Sequence, residues 1–144
     1  MKAIRHIGIV VSDLDKSLHF YRDLLGLKIV KDMNEAGEYI DNISDLQKVQ
    51  VRTVKMAADD DNLIELLYYS SHQARPDIIR PINQIGCSHV AFTVDNLDEE
   101  YNRLTKAGIK FNAPPQYSPD GYAKVTFCKD PDGTHIELVE VLLK

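Results

Sequence analysis

Tryptophan is absent from the 144 residues, and there are only two cysteines, Cys87 and Cys128. Two cysteines do not make the disulfide framework on which small secreted domains rely, and theirs is not the spacing of a metal-binding cysteine pair, so reduced thiols are expected. No apolar run approaches the roughly 20 residues that a membrane-spanning helix needs. The apolar stretch after Met1–His6 breaks at Ser12-Asp13 and is too short for a signal-peptide core, which makes the cytoplasm the expected compartment. Positive charge is also scarce: 17 Lys and Arg stand against 22 Asp and Glu, for a net charge of −5. Without a Lys/Arg stripe, neither nucleic acid nor an anionic membrane surface is an expected partner. What remains, with 44% apolar and 27% charged residues, is the composition of an ordinary globular chain able to bury one substantial core.

The strongest pattern present is an internal repeat. Arg5-His6-Ile7-Gly8-Ile9-Val10-Val11 resembles Ser88-His89-Val90-Ala91-Phe92-Thr93-Val94, with the two histidines 89 − 6 = 83 positions apart. Each run enters a helix behind a capping residue, Ser12 or Asp13 in the first half and Asp95 in the second. Leu14, Leu18, Tyr21 and Leu25 recur at helical spacing, as do Leu97, Tyr101 and Leu104, and Gly26 and Gly108 supply the left-handed position that ends a helix. Val49 to Ala57 and Tyr122 to Cys128 are rich in β-branched and aromatic residues and read as strands. Asn62-Leu63-Ile64-Glu65-Leu66-Leu67 and Thr134-His135-Ile136-Glu137-Leu138-Val139 close the two halves as a second matched pair. Each half therefore predicts a βαβββ module of an α+β domain: module 1 at about 1–72, a connection at about 73–85 containing Pro76 and Pro81, and module 2 at about 86–144. The histidine-to-glutamate separation is 65 − 6 = 59 in one half and 137 − 89 = 48 in the other. The excess falls mainly in Asp32 to Lys48, a polar stretch expected to be a surface excursion. Asp130-Pro131-Asp132-Gly133 has the residues of a tight turn.

Glu65 and Glu137 stand in strands whose two faces both read as apolar. A carboxylate buried there costs several kcal/mol unless it is paired or bound to metal. If the halves pack about a pseudo-twofold axis, His6, Glu65, His89 and Glu137 meet in one cavity. Two imidazoles and two carboxylates suit a divalent Zn, Ni, Co, Mn or Fe ion. A buried polar network linking two sheets is the alternative.

With these motifs, together with Phe20-Tyr21-Arg22, Leu25-Gly26-Leu27 and Asp130-Pro131-Asp132-Gly133, the chain resembles the vicinal oxygen chelate superfamily, also described as glyoxalase/bleomycin-resistance/dioxygenase proteins. The resemblance implies two modules forming an eight-stranded cup around one divalent ion, with His6, Glu65, His89 and Glu137 at the ligand positions of glyoxalase I-like members. It also implies a homodimer acting on a small-molecule substrate, as a lyase or isomerase that transfers a proton next to a carbonyl through a metal-chelated enediolate. Glu137 or Glu65 is then the catalytic base. A sequestering protein like the bleomycin-binding members is one alternative, although such members generally lack the ligand set. An extradiol dioxygenase is another, less suited to four protein ligands because its facial triad leaves three positions open. Glyoxalase I sequences hold glutathione with an arginine and an asparagine where this chain has Val10 and Tyr69; methylmalonyl-CoA epimerase-like enzymes share the proton-transfer logic, but no clear CoA-phosphate cluster is present. His135, on the face of Glu137, is either a substrate or ligand partner or a rim histidine. Cys87, on the face of His89, reads as packing, and Tyr117 in the Asn112–Gly121 loop reads as part of a hairpin connection or as a cover for the cup.

Overall fold

The computed structural model describes residues 1–73, 75, 80–86 and 89–142; Cys87, and Pro76 of the connection, lie outside the described residues. The chain divides into two compact units, Met1–Ile78 and Ile79–Lys144. The first contains β1 (Ile7–Val10), α1 (Leu14–Leu18), a π-helical turn (His19–Leu24), β2 (Lys28–Ala36), α2 (Glu38–Ser44), β3 (Gln50–Ala57) and β4 (Leu63–Tyr69). The second contains β5 (His89–Thr93), α3 (Leu97–Lys106), β6 (Gln116–Tyr117), β7 (Ala123–Lys129) and β8 (His135–Val141). Their sheets have the same strand order, β1-β4-β3-β2 and β5-β8-β7-β6. In each, the first strand pairs parallel with the last, and the other neighbours are antiparallel. The α+β class and the βαβββ order are thus observed, with α2 inserted between β2 and β3 of the first half. No helix among the described residues is long and apolar enough to cross a membrane.

Because strand side chains alternate between faces, each sheet has one face devoted to the core. Val54, Met56, Ile64 and Leu66 are buried on such a face in the first unit, where α1 packs against β4 and supplies Leu14 and Leu18. Thr126, Cys128, Ile136 and Leu138 are its counterparts in the second, with Leu97 and Leu104 from α3. Burial of each such leucine or isoleucine contributes about 1.5–3 kcal/mol. Glu65 and Glu137 belong to the opposite faces.

Local structure departs from the sequence-based expectation in three places. The first helix widens after Leu18: Leu25 N–H donates to Phe20 O (2.9 Å) and Leu27 N–H to Tyr21 O (3.0 Å). The wider turn accommodates adjacent aromatic residues, both buried and packed edge to face with ring centroids 4.9 Å apart. In the second half the helix cap is Asn96 and not Asp95, its side chain accepting from Glu99 N–H at 3.1 Å; Asp13 caps the first helix as expected. The Asp32 to Lys48 excursion lies at the surface as expected but carries regular structure, the end of β2 and all of α2. The Asp41 carboxylate ties α2 to β3 by accepting from Lys48 N–H (2.9 Å) and Val49 N–H (2.8 Å). Ile40 of α2 packs with Val49, Val51, Leu67 and Tyr69. Leu67 and Tyr69 lie two and four residues beyond Glu65, so α2 covers one end of the face that carries Glu65.

The Asp130–Gly133 turn forms as expected. Asp130 Oδ1 accepts from Asp132 N–H (3.0 Å) and Thr134 N–H (2.8 Å), while Gly133 N–H donates to Asp130 O (3.0 Å). Beside it Cys128 carries a free, buried thiol whose pKa burial pushes up to about 12. The native thiol therefore stays protonated where an unfolded one, with an ordinary value near 9, ionises. This contribution to stability is complete below pH 9 and is lost as pH rises from 9 toward 12. Iodoacetamide at pH 8.5, followed by peptide mapping, should leave Cys128 at least about tenfold less alkylated in native than in urea-unfolded protein. Equal labelling in the two states would contradict the buried, neutral thiol.

Candidate metal centre

The parallel strand pairs place the candidate ligands. Gly8 is the register partner of Glu65 and Ala91 that of Glu137. Each histidine lies two residues before its Gly or Ala, hence on the same face as its glutamate. His6 Nε2 stands 3.6 Å from Glu65 Oε1, and His89 Nε2 stands 3.2 Å from Glu137 Oε2. Each unit thus brings one expected imidazole and one expected carboxylate together. Within either unit, no group of three or more His, Cys, Asp or Glu side chains is gathered among the described residues.

The surroundings of the two pairs differ. Glu65 is buried, with 8% exposure, and its second oxygen, Oε2, forms an ion pair with Lys55 Nζ at 3.0 Å. Glu137 is less enclosed, and its β7 partner is Phe127, whose ring meets His89 edge to face with centroids 5.5 Å apart. Lys55 is a site residue absent from the sequence-based expectation. Its signal was a lysine between Val54 and Met56 in an otherwise strand-like run, ten residues before Glu65.

His135 is buried in the second unit, on the same face as Glu137, and is the register partner of His89. Its Nε2 lies 3.0 Å from Arg80 O, while Nδ1 is buried without a partner among the described residues. A simple rim position does not describe it. Tyr117 pairs with Lys124 in the β6–β7 hairpin and its ring lies 5.2 Å from Lys124 Nζ. That face is opposite to Glu137, so Tyr117 belongs to the hairpin connection. Lys124 also ion-pairs with Asp98 (2.7 Å) and Glu140 (3.5 Å), and its pKa is raised chiefly by Asp98.

A groove of about 700 Å³ in the first unit includes Ser12, Asp15, Asn34, Arg52 and Tyr68 but neither His6 nor Glu65. Arg52 and Tyr68 point away from the Glu65 face, each three residues from a side chain that lines it. Arg52 closes a bidentate pair on Asp32 (2.9 and 2.7 Å) and holds that carboxyl below its usual range.

The model for the Glyoxalase/Bleomycin resistance protein/Dioxygenase superfamily matches residues 3–138. The chain belongs to this superfamily. Among its relatives, the Bacillus subtilis protein YwkD is 30% identical, over 97% of this chain and 98% of YwkD. A Synechocystis protein named as a probable lactoylglutathione lyase is 26% identical, over 96% of this chain and 95% of its own. The solved structure of a glyoxalase family protein from Bacillus cereus matches with a TM-score of 0.87 and 27% identity, covering 99% and 96% of the two chains.

Each His/Glu pair has the donor types and spacing to supply two ligands to a divalent ion. Two donors each about 2.1 Å from one ion stand at most roughly 4.2 Å apart, a span that includes both His–Glu separations. In each half it is Nε2 that faces the carboxylate, so Nε2 is the nitrogen available as ligand.

The unequal surroundings should appear in metal-free protein. Glu65→Gln strands the Lys55 ammonium in a poorly solvated position and should lower stability by about 1–3 kcal/mol in urea unfolding. Glu137→Gln, beside Phe127, should change it by less than about 1 kcal/mol. Equal losses would contradict the distinction.

Proposed function

We propose that this chain is a metal-dependent lyase or isomerase in which His6, Glu65, His89 and Glu137 hold one divalent ion, drawn from Zn, Ni, Co, Mn or Fe. The observation that carries the reading is the recurrence of one imidazole Nε2 facing one carboxylate at register-equivalent positions of two sheets. A strand glutamate withdrawn from water, buried at Glu65 and half-buried at Glu137, is costly without a counter-charge, and its repetition argues for a shared purpose. Relatives named as lactoylglutathione lyases support the reaction class.

When bound, the ion would polarise a substrate carbonyl and offset the negative charge that develops as a proton leaves the adjacent carbon. Glu137 takes that proton on a carboxylate oxygen and returns it to another position or face. Glu65, with one oxygen paired to Lys55, acts as ligand. Ile40 and its neighbours supply apolar cover at one end of the first sheet's face. Val10 and Tyr69 follow Gly8 and Glu65 on that face and stand where glutathione-dependent members hold their thiol cofactor. The substrate is a small carbonyl compound, and a glutathione adduct would lack here the arginine and asparagine that hold it in those members. Superfamily cups are formed within one chain or from halves of two, and a homodimer is proposed here.

Screening α-hydroxycarbonyl, thiohemiacetal and acyl-CoA compounds by proton exchange in deuterium oxide, with the metal-loaded protein, tests the reaction. Glu137→Gln should retain metal while exchange falls at least about a hundredfold. Near-normal exchange by that variant would move the base to Glu65 or to a substrate-bound water. Tight ligand binding unchanged by EDTA, with no turnover, would replace the enzyme by a sequestering protein.

The assembly has its own test. Chains carrying His6→Ala, mixed with chains carrying His89→Ala and allowed to exchange, should regain one intact site per mixed dimer if the cup is built across chains. No recovery from a dimeric mixture would place all four ligands in one chain, and a monomer in light scattering at micromolar concentration would reject the dimer.

A further inference from the structure

Glu65 and Glu137 occupy equivalent places, yet their neighbours on the antiparallel side of each sheet differ. Lys55 is the β3 partner of Glu65 and Phe127 the β7 partner of Glu137. Both precede their glutamate by the same interval, 65 − 55 = 10 and 137 − 127 = 10. The lysine therefore occupies the place that an aromatic residue takes in the other half, and the two halves are not interchangeable at the site.

Lys55 divides the two oxygens of Glu65. Oε1 faces His6 Nε2 at 3.6 Å, and Oε2 is ion-paired with Lys55 Nζ at 3.0 Å. Solvent is largely kept away, the Lys55 and Glu65 side chains being 22% and 11% exposed. Turning both oxygens toward His6 would separate two charges where water replaces the lost interaction poorly. Phe127 has no ammonium with which to impose that restraint. Ion pairing among the described residues gives Glu137 a histidine and neither a lysine nor an arginine.

We infer that Lys55 is a positioning residue: it fixes Glu65 as a permanent, one-oxygen ligand and leaves Glu137 as the carboxylate free to leave the ion and carry the proton. The inference rests on the metal-dependent reading above. Groups that hold the second oxygen of a ligating carboxylate orient the first and preserve affinity for the ion. An opposite arrangement is also physically defined, in which the ammonium competes with the ion for Glu65 and its removal tightens binding.

Co(II) affinity, measured by chelator competition on the full chain, separates the two arrangements, with thermal melting run beside it to establish folding. Lys55→Met should weaken Co(II) binding about 10–100-fold and change the visible d–d absorption, whereas Lys55→Arg should stay within about threefold of wild type. Lys55→Gln, which keeps a neutral donor, decides the matter if Lys55→Met does not fold, and it should also weaken binding and alter the spectrum. Folded Lys55→Met or Lys55→Gln protein that binds Co(II) as tightly as wild type, or more tightly, would overturn the role of Lys55 while leaving the metal site standing. Failure of the wild-type chain to bind Co(II), Zn(II), Ni(II), Mn(II) or Fe(II) would overturn both.

Discussion

The parallel pairing of first and last strands is the constraint on which the candidate site depends. A one-residue slip between β1 and β4 would carry Glu65 to the other face and separate it from His6. The apolar alternation prevents that slip: Ile64 and Leu66 are buried on the core face, and the same holds for Ile136 and Leu138 around Glu137. Packing energy thus fixes the location of two carboxylates, one buried and one half-buried, that would not leave water for their own sake. Capping serves the same end, since Asp13 and Asn96 start the helices that cover the core face of each sheet.

Repetition gives each half the same histidine–glutamate pair, and the surroundings of the two pairs differ. Lys55 opposite Glu65, Phe127 opposite Glu137, and α2 over one end of the first sheet's ligand face all break the symmetry. The proposed proton transfer would use such a difference: two identical carboxylates would compete for the roles of ligand and base, whereas one tethered and one less restrained carboxylate would divide them. His135 adds a further asymmetry, because its counterpart by the glutamate offset, 135 − 72 = 63, is Leu63.

Much of this was legible in the residues. The histidines opening β1 and β5 and the glutamates in β4 and β8 appear as a repeat, and the period-2 burial that sets their face follows from the flanking aliphatics. The π-helical turn was not legible, because Leu14, Leu18, Tyr21 and Leu25 fit ordinary helical spacing, and the burial of both Phe20 and Tyr21 within the wider turn is a tertiary feature. A polar surface hid α2, since Ile40 is its one buried residue. The Lys55–Glu65 pair depends on strand register, which a local pattern does not specify. Asn96 and Asp95 are both competent caps, and choosing between them takes the backbone path.

Diffraction at the metal absorption edge, from crystals of the protein loaded with Zn or Co, tests the central claim most directly. The account predicts one ion bonded to Nε2 of His6 and His89 and to the carboxylates of Glu65 and Glu137, drawn from one chain or from two. Separate ions on the two His/Glu pairs, or an ion bound away from all four residues, would contradict it.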